Sequence, residues 1–116
     1  MQDFSPQISA LRNRLTETAG YLRVDELRSR RPQLETELGR PDLWDDAEAA
    51  QKLQREFAEL SDDLELYDAL EARVSDVATL HELAREEDDE SLEDEIEREV
   101  AALEREFSNL ELRALF

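Results

Sequence analysis

His81 is the sole imidazole of the chain, and cysteine is absent. Most catalytic and metal-binding constellations therefore lack their parts. A Ser-His-Asp triad needs a histidine between a nucleophile and an orienting carboxylate, and a structural zinc site needs four His and Cys ligands. A lone histidine near the apolar stripe of a helical segment is expected at a core edge or a surface flank. The acid pairs Asp62–Asp63 and Asp88–Asp89 offer carboxylates, the ligand type that holds calcium. Calcium loops, however, alternate their ligands around a glycine at the sixth position, and neither segment has one. Solvated acidic faces are the better account. Gly20 and Gly39 are isolated, so no phosphate-cradling loop can form. Acid–base work by paired carboxylates needs a concave pocket, which a pair of helices does not supply. No catalytic, cofactor-binding or metal-ligating residue is assigned, no cofactor is implied, and the chain is expected to act by binding and not as an enzyme.

Charge indicates where binding could occur. The net charge is −18, unevenly spread. Residues 1–40 hold seven Arg against six Asp and Glu, about +1, whereas residues 41–116 hold 26 acids against seven bases, −19. The acidic part repels nucleic-acid phosphates. Among the front arginines (Arg12, Arg14, Arg23, Arg28, Arg30, Arg31 and Arg40), the candidate contacts are Arg23, Arg28, Arg30, Arg31 and Arg40. The same residues also read as an ordinary solvated face.

Helices must position these groups. Ala, Leu, Glu and Arg dominate, with two glycines and three prolines, the composition of coiled coils and long helices. No stretch approaches the roughly 18 apolar residues of a membrane span. The N-terminal residues have neither the basic nor the apolar part of a signal peptide, so a cytoplasmic location is expected. Four helices are expected, over about 6–22, 25–38, 46–87 and 91–115, forming a single all-α domain over 1–116. Ser5 is expected to cap the first and Asp25 the second, and Pro32 predicts a kink or short break. Gly39-Arg40-Pro41-Asp42-Leu43-Trp44 reads as a turn whose tryptophan plugs the end of a bundle or meets a partner.

The third segment runs from a cap at Asp45–Asp46 with no Gly or Pro. Its stripe of Leu53, Phe57, Leu60, Leu64, Tyr67, Leu70, Val74, Val77 and Ala84 is close to a heptad seam. Acids at 86–90 suit a hairpin tip in water, Ser91 suits a cap, and Ile96, Val100, Leu103, Phe107, Leu110 and Ala114 form a second seam. Two seams joined by a short link predict an antiparallel coiled-coil hairpin, with the first two helices packed near its open end. Leu112, Leu115 and Phe116 close the chain on apolar residues, which predicts a longer parent chain.

Three runs resemble the release factor 2 family of bacterial class I peptide chain release factors. They are LETELGRPDLWDDAEAAQKLQRE at 34–56, HELAREEDDESLEDEI at 81–96 and LEREFSNLELRALF at 103–116. The resemblance extends back through the Leu22 region and covers essentially the whole chain, with Pro41-Asp42-Leu43-Trp44-Asp45 its most specific part. It implies the helical first domain of a factor that triggers peptidyl-tRNA hydrolysis at UGA and UAA codons. The implied partners are the ribosome, at the large-subunit stalk base near ribosomal protein L11 and its rRNA, and the GTPase class II release factor. The family's Gly-Gly-Gln and Ser-Pro-Phe motifs lie in later domains. Neither occurs here, since Ser5-Pro6 is followed by Gln7. Pro32 departs from the family's pattern. The rival expectation is a free-standing acidic coiled-coil adaptor or dimeric scaffold; a docking fragment is expected to be monomeric.

Overall fold

The computed structural model describes all 116 residues. Four α-helices carry the chain: α1 Ser5–Leu22, α2 Val24–Leu38, α3 Ala47–Glu86 and α4 Glu93–Ala114. Short 3-10 turns at Leu43–Asp45 and Glu90–Leu92 precede α3 and α4. There are no strands, and the molecule measures 63 × 30 × 19 Å.

The long helix α3 is the axis. Its apolar stripe faces α4 in an antiparallel hairpin, because both seams present apolar side chains at heptad spacing. Ile96, Val100, Leu103, Phe107 and Leu110 of α4 are buried, as are Leu70, Val74, Val77 and Ala84 of α3. At 40 residues α3 is almost twice the length of α4, at 22. Its N-terminal half would stand bare without α2, whose Val24 and Leu34 bury Leu60 and Leu64.

The first helix is not confined to the open end. It packs along both arms of the hairpin through Phe4, Ile8 and Leu11, making a three-helix bundle, and its N-terminus reaches the tip. The backbone N–H of Gln2 donates to Glu93 at 2.8 Å, and the Met1 ammonium lies 3.4 Å from Glu90. Heptad spacing specifies which face of α1 is buried but not how far along the hairpin it slides. Phe4, one residue before the helix, decides that by being buried at the tip.

Several expected caps are replaced. Ser5 lies inside α1, and its N–H is accepted by Asp3 at 2.9 Å. Asp25 falls in the first turn of α2, where it favours the helix dipole. The junction itself is Arg23, whose left-handed φ of 59° lets its N–H reach back to Gly20 O. That conformation, unusual without glycine, turns the chain in one residue. Ser91 belongs to the second 3-10 turn and donates its N–H to Asp89, so α4 starts without a side-chain cap. Asp46 does cap α3, accepting the Ala49 N–H at 3.1 Å.

Pro32 does not interrupt α2, which is continuous through it. The proline is on the exposed side, so the Arg28 carbonyl that loses its helical partner can be hydrated. Trp44 does not plug the bundle either. It is 54% exposed, and its neighbour Leu43, 7% exposed, supplies the buried anchor of the turn.

Candidate partner-binding surface

The expected contact arginines lie along α2 and its two ends, and the helix packing separates them into bound and free. Arg28 donates to Asp68 of α3 at 2.6 Å. Arg30 forks onto both oxygens of Glu56, at 2.8 and 3.3 Å. These bonds hold the Glu56 carboxyl below its ordinary range. Both arginines thus tie α2 to α3 in geometry suited to a guanidinium. Arg31 lies 5.8 Å above the Phe57 ring and 3.5 Å from Glu35. Arg23 and Arg40, at the two ends of α2, meet only distant carboxylates, Glu26 at 3.8 Å and Asp42 at 4.0 Å. They have the most freedom to reach another molecule. Packing does not gather the five into one pocket; they are spread along α2 and its two ends.

Three arrangements had no periodic signal in the sequence. Arg14 forks onto Glu111, touches Ser108 at 3.0 Å and covers the Phe107 ring at 5.6 Å. Arg73 joins α3 to α4 through Glu99 at 2.8 Å and through Glu106. The third is at the tip. Buried His81 accepts the Phe4 N–H on Nε2 at 3.0 Å, with the two rings edge to face at 5.8 Å. The histidine therefore satisfies the backbone at the start of α1. Its other near neighbour is the Asp3 carboxylate, whose Oδ1 lies 3.6 Å from Nε2.

Asp3 completes this latch. Its carboxyl is lowered from 3.8 to about 2, first by the Ser5 hydroxyl and backbone N–H, then by Arg85 at 2.9 Å. A depressed folded-state pKa contributes stability above the ordinary carboxylate range and loses it as pH falls through about 2. Asp3→Ala should therefore melt earlier than the parent chain at neutral pH. The gap should close between about pH 4 and pH 2. Thermal unfolding across that range checks it, and a gap that persists at pH 2 would assign the loss to something other than the carboxylate charge.

The surface is that of a rod with an acidic body, arginines beside its thin half and an exposed indole at the α2–α3 turn. No helix is long and apolar enough to cross a membrane. Comparison with known proteins adds the family. The PCRF domain matches residues 27–116. Peptide chain release factor 2 of Aliivibrio fischeri is 39% identical over 95% of the chain and 32% of its own length. The Streptomyces avermitilis protein of that name is 34% identical over 97% of the chain and 31% of its own length. That of Yersinia pseudotuberculosis is 35% identical over the full chain and 30% of its own length. The chain thus spans about a third of the length of the curated relatives it matches. With the match covering most of its residues and all four helices aligned, the chain belongs to the PCRF-domain family of peptide chain release factors, and along its whole length it is similar to the release factor 2 group.

Proposed function

We propose that this chain is the docking domain of a factor that ends translation at UGA and UAA codons. It holds that factor in a defined pose on the cytoplasmic ribosome, against the base of the large-subunit stalk near ribosomal protein L11. Cooperation with the GTPase class II release factor belongs to the same role. The observation that carries this reading is the end-to-end alignment with release factor 2 from distant bacteria, anchored by the PCRF match over 27–116. Neither Gly-Gly-Gln nor Ser-Pro-Phe occurs in the chain. Hydrolysis and codon reading are accordingly assigned to other parts of a full factor.

A stiff rod 63 Å long suits a positioning element. In this reading the acidic body, −19 over residues 41–116, faces basic ribosomal protein, and the α2 arginines face rRNA phosphates. Arg23 and Arg40 are the leading contacts because Arg28 and Arg30 already hold carboxylates of α3. Arg31 contributes from above Phe57. Two phosphate contacts change the log–log salt slope of binding by about two. Co-sedimentation with ribosomes over a salt series tests this with Arg23→Glu/Arg40→Glu, which leaves the α2–α3 ion pairs intact. Weaker binding and a shallower slope are expected. Unchanged binding removes the arginine assignment, and a parent chain that fails to bind removes the docking role.

The rival dimeric scaffold draws no support from the packing. The apolar seams that would have joined two chains are buried within this one, between α1, α3 and α4.

A further inference from the structure

A groove of about 770 Å³ runs between α3 and α4 on a side that neither α1 nor α2 lines. Its floor is Val77 and Leu80 of α3 with Ala101 and Ala102 of α4, and Arg98 and Arg105 stand along the α4 wall. Bundles of this geometry commonly hold four helices, and here α1 fills one position beside the pair while this one is open. Two alanines at the lip of a helical seam, where heptads normally place long charged side chains, let another backbone approach closely.

The charges select what fits. Arg14, Arg28, Arg30, Arg73 and Arg85 each hold a carboxylate at 2.6–2.9 Å. Arg98 and Arg105 hold none, although α4 is rich in glutamate. The positions three and four residues inward from both are the same two alanines, and Glu99, which also lines the groove, is held by Arg73 at 2.8 Å. Two unpaired guanidiniums, seven residues and roughly 10.5 Å apart, therefore flank an apolar floor. Asp76 and Glu95 also border the groove, and their charge opposes a phosphate backbone there. The net charge of −18 opposes a wholly acidic occupant.

We propose that this groove seats a helix of a partner protein, one with a narrow stripe of small apolar residues and two carboxylates seven residues apart at its edge. The rest of that helix is neutral or basic, so the field of the acidic rod attracts it while Arg98 and Arg105 fix its register. This is helix-in-groove recognition, with apolar contact supplying affinity and charged flanks supplying specificity.

The probe is a labelled synthetic helix about three heptads long, with an Ala/Leu stripe, two glutamates seven apart and lysines elsewhere. Binding is read by fluorescence anisotropy against the full chain. The glutamate peptide is expected to saturate. Replacing its two glutamates by lysine should weaken binding about tenfold, as should Arg98→Glu/Arg105→Glu in the protein. Pairing the lysine peptide with the double variant should restore it. Both arginines are exposed, and circular dichroism reports whether the variant is folded; if it is not, the peptide exchange on the parent chain decides alone. Equal affinity for the two peptides means non-specific attraction to an acidic rod and overturns the proposal. So does displacement of the peptide by a short RNA, which would make the groove a phosphate site, and so does failure to saturate at millimolar peptide.

Discussion

Phe107→Ala is expected to cost about 3–5 kcal/mol and to lower the melting temperature by roughly 10–25 °C. The side chain is fully buried at the seam where α1, α3 and α4 meet, within a core of twelve buried residues. Truncation removes a whole aromatic ring and leaves a void that three helices cannot close independently, since moving one strains its contacts with the other two. A second loss is electrostatic. Arg14, 5.6 Å from the ring centroid, forfeits its aromatic face while still tethered to Glu111. Urea titration of the variant beside Leu112→Ala separates core from surface. Leu112 lies on the same helix, exposed, and its truncation should change stability by less than about 0.5 kcal/mol. Similar midpoints for the two variants would mean that the three-helix seam is not the source of stability.

The hairpin was legible because it depends on periodicity alone. Leu60, Leu64, Leu70, Val74 and Val77, then Ile96, Val100, Leu103, Phe107 and Leu110, carry the heptad spacing in the chain and are buried in the fold. What periodicity cannot convey is register between elements distant in sequence. That α1 reaches the tip depends on Phe4, Met1 and Gln2, which lie outside any repeat and act through one imidazole and two glutamates some 77 to 91 residues away. Caps escape a sequence reading for a related reason. Ser5, Asp25 and Ser91 all have suitable side chains, but each lies within the first turn of a helix or a 3-10 turn, and α1, α2 and α4 start with no side-chain cap. Size alone leaves Trp44 either plugging the bundle or meeting a partner; the turn buries Leu43 and leaves Trp44 exposed.

The candidate surface was half legible. Composition located the arginines in residues 1–40, but only packing reveals that Arg28 and Arg30 are engaged with Asp68 and Glu56. Conversely, Arg98 and Arg105 were hidden in an acidic stretch by averaging over 76 residues. A local reading could have found them, because each faces alanines where the surrounding helix has glutamates. Net charge describes the long-range field, whereas recognition depends on which cations have no partner of their own.

Leu34→Ala is expected to produce a different kind of failure from Phe107→Ala, and the difference tests how stability is divided along the rod. Leu34 is fully buried, but in a separate cluster of four with Val24, Leu60 and Leu64. Losing its side chain should cost about 2–5 kcal/mol, a large fraction of what so small a core can supply. Partly buried Leu27, Leu53 and Phe57 and the surface pairs Arg28–Asp68 and Arg30–Glu56 are all that then hold α2 on α3. Exposed pairs contribute little each. The expected result is therefore local opening. Amide exchange should accelerate by at least tenfold over α2 and the facing half of α3, residues 47–64, with little change over α4 and the distal half of α3. The fast-exchanging half carries Arg23 and Arg40, so under the proposed docking role the same variant should bind ribosomes less well while retaining most of its helix signal. Uniform acceleration along all four helices would make the rod one cooperative unit, and the separation of a strong bundle from a lightly anchored arginine-bearing arm would then be wrong.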